Sequence, residues 1–219
     1  GAFLKTARWV GNSEIPVAGI NTGHLGYLSA FTFENAEEIY SHLLVGDFRV
    51  ENRSLLQADI IKEAQEKTHR LIALNEIAIT RGDNSAMLRI AARIGNRSSL
   101  NYMGDGLIIS TPTGSTAYNL SVGGPVLDPE LAGWVLSPIA AHSLSMRPLV
   151  VKDSSVIEIN VETRADGYRV SADGKPVSLH VSDRLELKKA PYNVKLIQQT
   201  GHAFADTLRD KLGMGTTLA

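Results

Sequence analysis

The chain has no cysteine among its 219 residues. That excludes disulfides, thiolate nucleophiles and thiolate metal sites, and it fits a cytoplasmic protein. Long apolar runs are missing as well: none reaches the roughly 18 residues a bilayer span needs, and the opening residues do not read as a signal peptide. Nor is there an excess of charge of either sign. Lys and Arg number 22 against 23 Asp and Glu, for a net charge of −1, so no global field draws the chain to nucleic acid or to a membrane surface. Several common catalytic signatures are also absent. There is no G-x-x-x-x-G-K-S/T phosphate loop, no H-E-x-x-H and no G-x-S-x-G elbow, and the six histidines show no metal-ligand spacing. Gly19, Gly23 and Gly26 have the wrong first interval for a Rossmann fingerprint.

What is present is an ordinary globular composition, 43% hydrophobic and 21% charged, in a chain long enough for one large domain or two small ones. Its hydrophobic period changes part-way. Phe3, Leu4, Ala7 and Val10 have helical spacing, and a helix so close to Gly1 leads us to expect further residues ahead of it. The run from Pro16 to Ile20 reads as a buried parallel strand, and Asn35 with Glu38 as a capping pair before a helix whose face carries Ile39, Leu43 and Leu44. From about residue 54 the period falls to two, in Leu56, Ala58 and Ile60 and again in Leu88, Ile90, Ala92 and Ile94. Ile157 to Val161 reads as a strand, followed by a turn at Asp166-Gly167 and a strand over Tyr168 to Ala172. Asp173-Gly174 marks a hairpin, because both central residues of a type I′ turn need positive φ. Leu185 to Leu187 and Val194 to Leu196 are expected to continue the meander, and Ala203 to Leu212 to form a helix. The fold class is therefore α/β plus all-β. A partial N-terminal α/β domain, 1–53, is completed by a returning helix in 199–219, and 54–198 forms a β-rich, sandwich-like domain.

The richest stretch is Gly104-Asp105-Gly106-Leu107-Ile108-Ile109-Ser110-Thr111-Pro112-Thr113-Gly114-Ser115-Thr116-Ala117-Tyr118. A buried strand over Leu107 to Ile109 runs into a turn dense in hydroxyls and glycine, with a helix expected after Gly114. The residues alone leave two readings open. Backbone N–H groups at the helix start and a glycine can receive a polar ligand, or Ser115 or Thr116 is a plain N-cap worth about 1 kcal/mol.

This stretch resembles the Thr-Pro-Thr-Gly-Ser-Thr-Ala-Tyr signature of the NAD kinase family, and Ser121-Val122-Gly123-Gly124-Pro125 follows it as in that family. Asn21 to Tyr27 is similar to the family's glycine-rich loop, Leu74-Asn75-Glu76 to its Asn-Glu motif, Pro138 to Pro148 to its Pro-Ile…His-Ser-Leu…Arg-Pro segment, and Ser171 to Gly174 to its late Asp-Gly motif. The resemblance implies transfer of a phosphoryl group from ATP, or another phosphoryl donor, to the adenosine 2′-hydroxyl of NAD. Mg²⁺ or another divalent metal would accompany ATP, and the protein would be a homodimer or homotetramer. It also implies a Gly-Gly-Asp-Gly phosphate loop whose aspartate acts as base. Gly1 corresponds to the last glycine of that loop, so the catalytic Asp is expected upstream of Gly1 and no catalytic residue is assigned in 1–219. A non-catalytic NAD(P)-binding sensor is the alternative, and a lipid kinase of the diacylglycerol type a weaker one.

The residues implied for NAD are Tyr27, Asn75, Glu76, Asp105, Thr116, Ala117, Tyr118, Ala140 and Asp173, with the dinucleotide lying between the two domains. Asn75 would pair with adenine and Glu76 would accept from ribose hydroxyls, yet a turn-capping Asn beside a solvated Glu has the same sequence. Tyr118 could be a core aromatic, Tyr27 simply buried, Asp105 and Asp173 bare turn residues, and His24 and His142 loop histidines with one hydrogen bond each. Lys175 stands where the family has glutamine.

Overall fold

The computed structural model describes residues 1–21, 28, 31–32, 36–62, 69–82, 86–201 and 203–215. Tyr27 and His24 lie outside the described residues, as do Asn35 and the side chain of Glu38.

The chain divides into two compact units, one of Gly1–Arg53, Asp128–Glu130 and Tyr192–Ala219, the other of Ser54–Leu127 and Leu131–Pro191. In the first, helix α1 (Ala2–Val10) turns Ala7 inward and ends at Gly11 with φ 51°. Strand β1 (Val17–Ala18) pairs in parallel with Leu196 and Ile197, and β2 (Ile20–Asn21) pairs in parallel with β3 (Phe31–Thr32). These strands are shorter and more exposed than the run from Pro16 suggests, since Ile20 is exposed. Helix α2 (Ala36–Val45) buries Ile39 against Phe31 and Ile197, with Leu43 packed alongside. Leu44, expected on that face, is one helical step (100°) further round and exposed. Helix α4 (Phe204–Leu212) belongs to this unit; Asp206 accepts the Ala203 N–H, and Gly213 at φ 65° ends it. Among the described residues no helix is long and apolar enough to cross a membrane.

The second unit is built on two sheets. One has the order β5 (His69–Ala73), β4 (Phe48–Ile61), β15 (Arg184–Gln199), β12 (Ile157–Glu162), β7 (Leu88–Ile94), β8 (Ser99–Gly104). The other has the order β11 (Leu149–Lys152), β10 (Gly133–Ile139), β9 (Gly106–Ser110), β6 (Glu76–Arg81), β13 (Gly167–Ala172), β14 (Lys175–His180). Alternate residues of both sheets, such as Ile90 and Ile159 from one and Ile79, Leu107 and Trp134 from the other, share a single buried core. Every residue of β9 is buried, as its continuous apolar run requires.

One expectation about pairing is corrected. The segments Leu185 to Leu187 and Val194 to Leu196 are one 16-residue strand beside β12, not further turns of a meander after β14. Strands β12 and β13, on either side of the turn expected at Asp166-Gly167, lie in different sheets. Alternation assigns a residue to a face but carries no information about which strand lies alongside. The Asp173-Gly174 hairpin does form, with φ values of 47° and 76°.

Candidate functional site

Strand register in the second sheet brings three distant segments to one corner. Glu76, the first residue of β6, lies opposite Ser110, the last of β9. On the other side of β6, Ile77 lies opposite Ala172, the last residue of β13, so the Asp173 turn also arrives there. Leu74 and Asn75 form the bend between β5 and β6 and have no neighbouring strand of their own. Their backbone groups are satisfied by side chains and by the turn after β9. Asp173 Oδ2 accepts the Leu74 N–H at 3.0 Å, and Oδ1 accepts those of Asn75 at 2.8 Å and Glu76 at 3.3 Å. On the carbonyl side, Thr111 Oγ1 donates to Leu74 O at 2.5 Å and Thr111 N–H to Asn75 O at 2.9 Å.

The turn after β9 then packs onto the bend. Gly114 passes so close that an added Cβ would lie 2.0 Å from the Asn75 carbonyl oxygen, which is why a residue without Cβ stands there. Thr113–Thr116 is a 3-10 turn and Tyr118–Ser121 a four-residue helix, α3. The helix expected after Gly114 is this α3, but no side chain caps it. Ser115 Oγ instead donates to Pro112 O at 2.7 Å and accepts the Leu127 N–H at 3.0 Å. The turn is held from beneath by Asn119. Its fully buried amide donates to Ser115 O and Pro125 O, both at 3.0 Å, and accepts Ser137 Oγ at 2.6 Å. Sequence reading missed Asn119, which carries no local signal that sets it apart from the polar residues around it.

Asn75, Glu76, Thr116, Ala117, Tyr118 and Asp173 therefore share one corner. Tyr118 is exposed beside it and is not a core aromatic. Asp105 and Ala140 form a second group. Asp105 N–H donates to Ile139 O at 3.0 Å, its carboxylate pairs with Arg81 at 3.4 Å, and Ala140 has a left-handed φ of 45°. They sit at the opposite end of β9 from Thr111, about 20 Å away at the usual rise of roughly 3.3 Å per strand residue. Gly1 is exposed in the first unit. His142 donates its backbone N–H to Met103 O at 2.9 Å, as a loop residue does.

Residues 74–199 match the family model described as ATP-NAD kinase C-terminal domain, and residues 1–48 match the ATP-NAD kinase N-terminal domain. The chain is 42% identical to the NAD kinase of Porphyromonas gingivalis over 218 residues, 100% of this chain and 74% of that one. It belongs to the NAD kinase family. A more distant relative, the NAD kinase of Heliobacterium modesticaldum, is 37% identical over 98% of this chain and 76% of its own length. Among solved structures, yeast NADH kinase complexed with NADH superposes with a TM-score of 0.87 at 25% identity, covering 93% of this chain and 61% of that one. An NAD kinase from Archaeoglobus fulgidus in complex with ATP gives 0.72 at 28% identity, covering 90% and 72%.

Within this NAD kinase chain the most unusual side chain is Glu76. It is only 7% exposed, and its Oε2 has no hydrogen-bond partner. Burial first, and the neighbouring Asp173 carboxylate second, push its carboxyl from 4.5 up to about 7, against a smaller opposing pull from the Tyr118 backbone N–H. A buried acid with a free oxygen is costly to keep, and such groups concentrate at functional sites.

Two outcomes are expected. Gly114→Ala must push the turn off Asn75 and costs about 1–3 kcal/mol of stability; denaturation at wild-type strength would contradict the close approach. Glu76→Gln should have a pH-dependent effect. The folded protein keeps a proton that the unfolded chain loses between 4.5 and about 7, so ionisation in that window costs the fold stability as pH rises. Relative to wild type, the variant should gain up to about 3 kcal/mol between pH 4 and pH 8. Urea denaturation at the two pH values checks this, and an equal difference at both would contradict it.

Proposed function

We propose that this protein transfers the γ-phosphoryl group of ATP to the adenosine 2′-hydroxyl of NAD, giving NADP. The observation that carries this reading is the Asn75–Glu76 bend pressed against the turn from Thr111 to Tyr118, with a buried Glu76 oxygen lacking a partner. Adenosine supplies what such a corner needs: ribose hydroxyls to donate to Glu76 Oε2, and a base edge to pair with the Asn75 amide. Thr116, Ala117 and Tyr118 line the same side, and Asp105 with Ala140 takes the nicotinamide end. Membership of the family and the NADH and ATP bound by the two solved relatives support the same pair of substrates.

In the reaction the 2′-oxygen forms a bond to the γ-phosphorus as the bond to the β,γ-bridging oxygen breaks, ADP leaves with that oxygen, and the hydroxyl proton passes to a general base. Such chemistry asks the protein chiefly to place both substrates in line and to balance charge. The role of the corner is the first of these: it holds the ribose. Mg²⁺ would supply charge neutralisation on the phosphates. The protein acts in the cytoplasm as a homodimer or homotetramer.

The full-length protein given NAD, ATP and Mg²⁺ should form NADP in a coupled dehydrogenase assay. Asn75→Ala should weaken NAD binding about tenfold, the worth of one or two hydrogen bonds, with unchanged unfolding. Binding of NAD without turnover would leave a sensor, and unchanged affinity in the variant would remove Asn75 from the site.

A further inference from the structure

We infer that Asp173 is a positioning residue, which sets the backbone of the Asn75–Glu76 bend through three amides and does not itself touch the dinucleotide. The inference rests on the reading of that bend as the adenosine site. Both carboxylate oxygens are already engaged, Oδ2 with Leu74 N–H at 3.0 Å and Oδ1 with Asn75 and Glu76 N–H at 2.8 and 3.3 Å. The Asp173 backbone N–H closes the contact from its own side, donating to Glu76 O at 3.1 Å. Leu74 and Asn75 lie between two strands, where no ladder supplies acceptors, so the carboxylate takes the place of a strand neighbour. Hydrogen bonds to an ionised acceptor are stronger than neutral ones, and three from consecutive amides fix the direction in which the Asn75 and Glu76 side chains leave the backbone.

The turn that carries Asp173 is built for this. Asp173 has φ 47° and Gly174 φ 76°, so the hairpin folds Asp173 back over the start of β6, not outward from the sheet. An Asp at the first central position tolerates the left-handed region, and Asn shares that tolerance. Asp173→Asn is therefore a gentle probe. It keeps the shape and the turn, but it offers one acceptor oxygen and sets an NH₂ donor against backbone N–H donors.

Asp173 also faces Glu76 electrostatically, and among the described residues the other group acting on that carboxyl is the Tyr118 backbone N–H. Ribose hydroxyl donors favour the ionised form of Glu76, so NAD affinity should rise with pH through about 7 in the wild type. Removing the Asp173 charge should move that midpoint to lower pH. A residue needed only for folding would not move it.

The test is the NAD dissociation constant of the full-length protein, by NMR titration with NAD, for wild type, D173N, N75A/E76Q and the triple variant, with urea denaturation alongside. D173N should weaken binding about tenfold in the wild-type background at pH 8 and less than about twofold when Asn75 and Glu76 are already gone, since distant or indirect effects vanish with the group they act through. Its pH midpoint should also fall. An undiminished tenfold loss in the N75A/E76Q background would mean direct contact and overturn the inference, as would unchanged affinity and midpoint in D173N. A wild-type protein that binds no NAD at any pH would instead sink the site reading beneath it.

Discussion

Three successive backbone amides, at Leu74, Asn75 and Glu76, converge on the one carboxylate of Asp173, while Thr111 takes the carbonyls of the first two. A bend outside any strand ladder is thereby fixed as firmly as a strand. The arrangement depends on sheet order. Strands β9, β6 and β13 are neighbours, and because they are antiparallel the end of β9, the start of β6 and the end of β13 coincide. Thr111 and Asp173, 36 and 98 positions from Asn75, become the partners of its backbone for that reason alone. The packed sandwich beneath, with Leu107, Ile79 and Trp134 fully buried, gives those strand ends a rigid base.

The corner is kept at a cost. Gly114 loses the side chain that would stiffen its turn, because nothing larger fits against Asn75 O. Glu76 is buried with an unpartnered oxygen and beside another carboxylate, which together hold its carboxyl near neutrality. A fold selected for stability alone would place an apolar residue there. The two departures from local favourability meet at one point, as expected where structure has been shaped for a ligand. Asn119, by contrast, is fully buried with both ends of its amide hydrogen-bonded, donating to Ser115 O and Pro125 O and accepting from the Ser137 hydroxyl.

Much of this was legible from the residues. The period change near residue 54, the alternation of Leu88 to Ile94 and the Asp173-Gly174 turn all carry local signals, and each element formed where those signals lie. The family resemblance rested on side chains and survived comparison over the whole chain. Pairing was not legible. Nothing in Ile157 to Ala172 says that the chain changes sheets at Asp166, and the apolar residues of β15 read as two strands because Pro191 interrupts their rhythm. The hydroxyl-rich turn looked like a helix start because Ser and Thr cap helices, yet here they bond to backbone carbonyls within a 3-10 turn. The resemblance implies an NAD-binding role for Asp173, with a bare turn as the alternative. It does sit in the turn, and its carboxylate bonds to backbone N–H groups such as that of Asn75, 98 residues away, which no local pattern encodes.

The central claim is that the bend at Asn75–Glu76 receives the adenosine half of NAD. A crystal structure of the full-length protein with NAD tests it most directly. The account requires a ribose hydroxyl within hydrogen-bond distance of Glu76 Oε2 and the adenine edge against the Asn75 amide. NAD seated elsewhere, with Glu76 Oε2 still lacking a partner, would contradict it.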